Sequence, residues 1–346
     1  ELVAALWIIL GTAFFTGIVP AMKSSDSDIN AVLRDGTRGA LGKKEGRLSK
    51  ILVTAEVFLS CAVLIVAGAL IIAVNKATNA DYGADVSSIY TARFSLTSGE
   101  YDDMAKRYEF HQKLMTQLKS QPGVRDVTVA SAYPGRNSGR EPIKIEGFET
   151  VPGQTPRALF QTVDSSYHEL LKIPLVEGRY FDGRDARGTQ RTTIITDTFA
   201  KKYWPNESAI GKRIKADPTN ENSEWLTIIG VVEHVVHQQP FGDAYTMPAM
   251  YVTNAQYAYR TQFVALKVDG DPYQYQQMLM DVAGQIDPNF PMYNGLPLDE
   301  RIARRVLGIQ FVGNLFIIFG VLALLLASAG IYGVMSQNVT RRTQEL

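Results

Sequence analysis

The hydrophobic positions of this chain follow two regimes. Three stretches are almost continuously apolar, Leu2 to Met22, Ile51 to Val74 and Phe311 to Met335. Each is close to the roughly 20 residues with which a helix crosses a hydrocarbon core of about 30 Å, and each predicts a transmembrane helix. Within the second, the only charged residue before Val74 is Glu56, near enough to the start to read as an end-of-helix acid at the interface. The first run opens on Glu1 rather than on a basic segment, and a second span follows it closely, so it reads as a span and not as a cleaved leader.

Between the second and third runs the pattern shortens and alternates. SIYTARFSL, from Ser88 to Leu96, has the β-branched and aromatic content of a strand. Tyr101, Met104, Tyr108, His111, Met115 and Leu118 are spaced three and four apart and predict one apolar helix face, stopped by Gln121-Pro122-Gly123. Val127 and Val129 then alternate as in a half-buried strand. A second such unit comes far downstream: FVALKV at 263–268, a helix with Tyr275, Leu279, Val282 and Ile286 on one face, and a short strand FPMYN. The two units together predict a ferredoxin-like split βαβ sheet over 80–133 and 261–300. Residues 134–260 are then an insertion, whose short strands and turns predict a β-rich subdomain. These include ALFQTV, a short helix at Tyr167 to Leu171, a turn at Glu177-Gly178-Arg179, a strand at 192–196, a helix from Asp197 to Trp204, a turn at Gly211 and a buried strand at 225–236. Finally Leu298, Ile302, Val306 and Ile309 fall on one helical face that runs straight into the third span. The fold class is therefore a membrane protein with an α+β domain outside the bilayer.

Charge adds the orientation. Lys23, Arg34, Arg38, Lys43, Lys44, Arg47 and Lys50 crowd the segment between the first two spans, which places the basic linker 23–50 in the cytoplasm. The spans at 51–74 and 308–335 then enclose an external domain at 75–307, and residues 336–346 return to the cytoplasm with Arg341 and Arg342 at the exit. The 35 basic and 35 acidic residues cancel, and no basic excess points to nucleic acid. The single cysteine, Cys61, lies within the second span, so the external domain carries no disulfide. At some 230 residues it is long enough to bury a core without one.

Several chemistries have no support in the residues. There is no G-x-x-x-x-G-K-[ST]: Gly211-Lys212 is followed by Arg213 and lacks the upstream glycine, so the chain is not itself an ATPase of the P-loop kind. No cofactor, metal or catalytic set is expected. His234 and His237 beside Glu233 would converge on a metal only across a bulge or helix, because residues three apart on a strand face opposite sides. PGRNSGREP, 134–142, brings Arg136 and Arg140 near enough to hold an anion, but its glycine, asparagine and proline content reads as an exposed loop. The sequons at Asn206 and Asn338 carry no weight for glycosylation.

Taken in order, VEGRYF (176–181), TTIITDTFAKKYWPNESAIGKRI, WLTIIGVV and the last span running into TRRTQEL resemble the permeases of the MacB/FtsX type, an ABC-transporter family. The resemblance covers nearly the whole chain. It implies a periplasmic domain with a porter-like part and an inserted part, held in the bacterial inner membrane. It also implies a separate or fused ABC ATPase that binds the ATP, and a role in export, such as efflux, or in force transmission. By that resemblance Arg341, Arg342, Gln344 and Glu345 begin the ATPase-coupling region. Other partners implied are membrane lipids and a periplasmic adaptor or envelope protein. One departure is Leu2 to Met22, which a four-helix member lacks and which looks like the last helix of a preceding permease copy. Topology alone also fits a transmembrane sensor with an extracytoplasmic ligand-binding domain.

Overall fold

The computed structural model describes residues 40–78, 80–136, 139–148, 155–217, 223–238, 245–289 and 291–343. The first predicted span, residues 23–39 of the basic linker, Gln344 and Glu345 lie outside them. The chain divides into two compact units, residues 1–65 with 317–346, and residues 66–316.

Two long helices run through both units: α1, Ala40–Thr78, and α6, Leu298–Thr343. Helix α1 begins eleven residues before the predicted span, so residues 40–50 are helical rather than linker. Their lysine, arginine, leucine and glutamate content suits a helix, and the apolar run that follows extends it. The stretches Val57–Lys76 and Gln310–Gly333 are long and apolar enough to cross a membrane. Only small patches of the two helices are covered: in the first unit Ser60 and Ala327 are buried, and a Cβ on Gly320 would stand 2.8 Å from Leu64 Cδ2, so the absent side chain lets the helices touch. Phe58, Leu59, Phe319 and Leu325 are more than half exposed.

Among the described residues, the second unit is built on eleven strands. Strand β1 (Ile89–Ser95) is followed by helix α2 (Met104–Lys119) and strand β2 (Val124–Ala130). Much later come β10 (Thr261–Val268), helix α5 (Gln276–Ile286) and β11 (Met292–Pro297). These four strands lie side by side in the order β11-β1-β10-β2, every neighbouring pair antiparallel. Alternation along each strand serves two cores at once. Tyr90, Ala92 and Phe94 of β1 and Val264, Leu266 and Val268 of β10 pack under α2 and α5, while Ile89, Phe263 and Ala265 face the other way into a second cluster. With both faces covered, the central strands read as unbroken apolar runs.

The buried face of α2 differs from its predicted stripe. Phe110, His111, Leu114, Met115 and Leu118 are buried, whereas Met104 and Tyr108 are only half-buried. Tyr101 belongs to a separate 3-10 turn, and the Asp103 carboxylate caps the helix by accepting from Ala105 N, so the helical phase starts only after Asp103.

The residues between the two units contribute β3 (Arg140–Ile145), β4 (Arg157–Val163), a short helix α3 (Tyr167–Leu170), β5 (Leu175–Gly178), β6 (Thr192–Thr196), α4 (Asp197–Tyr203), β7 (Arg213–Ala216), β8 (Trp225–Val232) and β9 (Ala249–Thr253). Six of them form a closed ring: β4-β3-β7-β8-β6, and β9, which pairs with both β6 and β4. Ile143, Ile145, Ala158, Ile195, Ile214, Leu226, Ile228, Met250 and Val252, drawn from all six strands, share one core with Phe199 and Trp204 of the α4 segment. The ring meets the four-stranded sheet through one residue pair, Ala130 with Val163. The apolar cluster behind that seam draws on both sides, with Ile89, Tyr133 and Phe263 against Leu159, Tyr167 and Tyr251.

Two local expectations are corrected. Pro134 and Gly135 are buried rather than exposed, because Gly135 N donates to Val236 O and the turn is pinned in place. The strand within 225–236 ends at Val232, and 233–236 continues as irregular backbone.

Candidate functional site

The first turns of α6 are bonded to several elements at the edge of the second unit. Leu298 and Ile302 are buried in the cluster that contains Tyr82, Tyr133 and Phe263. Between them, Arg301 reaches back to the sheet: its Nε donates to Thr91 Oγ1 at 2.9 Å, which in turn donates to Leu296 O at 2.8 Å. A second guanidinium nitrogen donates to Asn294 O, and the group lies 5.7 Å from the centre of the Phe263 ring. On the outer face Tyr273 OH donates to Glu300, whose other carboxylate oxygen accepts from Arg304 Nε and NH2 at 2.9 and 2.7 Å. Those bonds hold the Glu300 carboxyl below its ordinary pKa and push the Tyr273 phenol up. The helix therefore leaves the domain as an extension of its core, tied to β1, β11 and the segment before α5.

None of Arg301, Thr91, Tyr273 or Gly135 was singled out by the sequence pattern. The available signal was Asp299-Glu300 in the first helical turn followed by Arg304 four residues after Glu300, a spacing that pairs on a helix. Of the predicted coupling residues, Arg341 and Arg342 lie on the last turn of α6, their side chains outside the described residues, together with Gln344 and Glu345.

The blocks that carried the resemblance turn out to be fold determinants. Gly178, at φ +80°, lets β5 approach β8: a Cβ there would stand 2.3 Å from Ile229 O, and one on Gly230 2.3 Å from Arg179 O. Arg179 holds the buried Asp185 carboxylate with two bonds of 2.6 and 3.0 Å, and Thr192 Oγ1 and Asp182 N add two more. Burial raises the Asp185 pKa, but these donors outweigh it and leave the carboxyl below its ordinary value.

The histidines do not converge. His234 bridges Thr198 Oγ1 and Tyr245 O, while His237 is buried with Nε2 2.7 Å from Tyr251 OH. No group of three metal-ligating side chains occurs among the described residues. Nor do Arg136 and Arg140 share an anion: Arg136 lies 4.2 Å over the Phe263 ring, and Arg140 donates to Gln238 Oε1.

A family model described as the MacB-like periplasmic core domain matches residues 51–285. The chain belongs to that family. The match starts inside α1 and ends in α5, so β11 and α6 lie beyond it. Among solved structures, the chain is similar to the periplasmic region of MacB from Actinobacillus actinomycetemcomitans, at 13% identity over 67% of this chain and 97% of that one, with a TM-score of 0.43. It is also similar to the extracellular domain of the noncanonic ABC-type transporter YknZ from Gram-positive bacteria, at 18% identity over 59% of this chain and 100% of that one, with a TM-score of 0.39. No curated protein matches the chain. Membership rests on the family match, and the mixed sheet and helix fold of the MacB-like domain is the one described above.

Proposed function

We propose that this chain is part of the permease of an ABC-type transporter, in which α1 and α6 cross the cytoplasmic membrane and the domain at 75–307 lies on its outer side. In this reading the four-stranded part is a ferredoxin-like split βαβ unit and the strand ring is its insertion. A partner ATPase binds and hydrolyses ATP, and the chain does no covalent chemistry of its own. Leu2 to Met22 ends a preceding permease copy, residues 23–50 form a cytoplasmic basic segment, and Arg341, Arg342, Gln344 and Glu345 open the surface that meets the ATPase.

One observation carries this reading. Helix α6 is unbroken from the core-buried Leu298, through the apolar stretch Gln310–Gly333, to Thr343. Within the second unit its root is bonded to β1 through Arg301 and Thr91 with no intervening loop, which suits export or force transmission by an external domain. Envelope proteins on the outer side and lipid headgroups at Arg341 and Arg342 complete the set of partners.

The test is co-purification of the ATPase from detergent-solubilised membranes. Glu345→Lys keeps the positive-inside signal and should still weaken ATPase association or ATP-dependent function. Normal association in that variant, with Arg341→Ala/Arg342→Ala merely lowering insertion, would make the stretch an anchor and remove the coupling assignment.

A further inference from the structure

The strand ring has an open end. A cavity of about 410 Å³ is lined there by Glu141 of β3, Phe160 of β4, Leu226 of β8, Arg191 just before β6, and Tyr257 and Tyr259 after β9. Leu226 belongs to the ring core, and Phe160 and Tyr257, which meet edge to face at 6.1 Å, pack on it, so the floor is apolar and rigid. A cavity of this size at the mouth of a barrel is a common place for a small ligand.

Its charge selects the kind of ligand. Arg191, the one cation among the described lining residues, is already committed: Nε donates to Glu224 Oε2 at 2.5 Å, Nη1 to Gln256 O at 2.8 Å, and its guanidinium carbon lies 4.9 Å from the Tyr257 ring centre. Glu141 is different. Among the described residues its carboxylate has no hydrogen bond or ion pair, and it stands near the Tyr259 phenol, a half-exposed ring whose pKa is raised by its partial burial and by this carboxylate. The Arg191–Glu224 pair is neutral as a unit, which leaves the Glu141 carboxylate to set the charge beside the aromatic lining. A carboxylate without a partner next to aromatic faces attracts an organic cation and repels an anion.

We propose that the mouth of the strand ring binds a small organic cation, with Glu141 as its counter-ion and Tyr259 and Phe160 as its aromatic walls. This site is separate from the helix root and does not depend on any ATPase.

The experiment titrates the full chain, in a maltoside detergent, with benzyltrimethylammonium, and with benzyl alcohol and benzoate as its neutral and anionic counterparts, by calorimetry. The cation should bind and the other two should not. Glu141→Gln and, separately, Tyr259→Leu should each weaken binding by about tenfold or more while leaving the thermal midpoint of the unliganded protein unchanged. Nα-acetyl-lysine amide, the cation that a protein partner would present, should bind more weakly than benzyltrimethylammonium. Equal response to the neutral compound, unchanged affinity in both variants, or preference for the lysine amide would each overturn the proposal.

Discussion

Gly135 lies under Ile302, so close that a Cβ on the glycine would stand 2.9 Å from Ile302 Cγ1 and 3.4 Å from the Tyr82 ring. The glycine also adopts φ +74°, which an L side chain tolerates poorly. Gly135→Ala should therefore destabilise the protein by about 2 kcal/mol or more, the sum of backbone strain and a clash with the α6 root. Combining it with Ile302→Ala should remove the clash but not the strain, so the double variant should be less destabilised than the sum of the singles. Strict additivity in chemical unfolding would show that the two residues do not press on each other.

Asp185 and Arg184 offer a contrast between ion pairs. Asp185 is buried with four donors on its carboxylate, so Asp185→Asn leaves the Arg179 guanidinium facing a neutral amide and should cost about 3–5 kcal/mol. Arg184 pairs with Asp182 in the open, and Arg184→Ala should leave the unfolding midpoint where it was. Equal urea midpoints for the two variants would contradict the assignment.

How much of this was legible in the sequence depended on period. Strands β1, β4, β6 and β10 and helices α2 and α5 announce themselves by alternation or by three-four spacing, and the split of the four-stranded part over two distant segments followed from the same signal. Strands β3, β7 and β9 did not. REPIKI and RIKA carry charge at alternate positions and a proline, and AMYVT is apolar at almost every position because it is covered on both faces. Ring closure was illegible for another reason, since it depends on β9 pairing with β4 from about ninety residues away. Of the helix root only the Leu298 and Ile302 face and the Glu300–Arg304 spacing are local signals, and the cavity at the ring mouth, assembled from five or more segments, has none.

Acid should unfold the domain earlier than its carboxylates alone would. His111, His168 and His237 are buried, and burial lowers each to about 3 from the ordinary 6.5, with Arg107 adding to the effect at His111. Above pH 6.5 these rings are neutral in both states and their contribution is complete. Below it the unfolded chain takes up protons that the fold refuses, so stability falls as pH drops from 6.5 towards 3. The slope is about 1.4 kcal/mol per pH unit for each ring. His168→Phe, which keeps an aromatic ring between Tyr180 and Tyr251, should reduce that slope by about a third. Identical urea midpoints at pH 7 and pH 4.5 for the parent protein would refute the argument.

Sidedness can be read with cysteines in a Cys61→Ser background. Ser120→Cys, on the exposed C-cap of α2, should react with a membrane-impermeant thiol reagent in cells with a permeable outer membrane, and Ser49→Cys should not. The reverse pattern would invert the topology and take the permease reading with it.

Strand β1 sits between β10 and β11, both made from the last part of the domain. As the chain leaves the ribosome, β1 is complete at Ser95, yet its first neighbour begins only at Thr261, and at ordinary synthesis rates that is a wait of roughly 10–30 s. Throughout it, Tyr90, Ala92 and Phe94 have no sheet to join, and neither the ring nor α2 can supply one. Biogenesis of this domain is accordingly a problem of timing: a nascent strand must be kept from foreign pairing until the final fifth of its domain is being made, and a stalled or truncated product ending before residue 261 is a substrate for chaperones and proteases rather than a smaller folded protein.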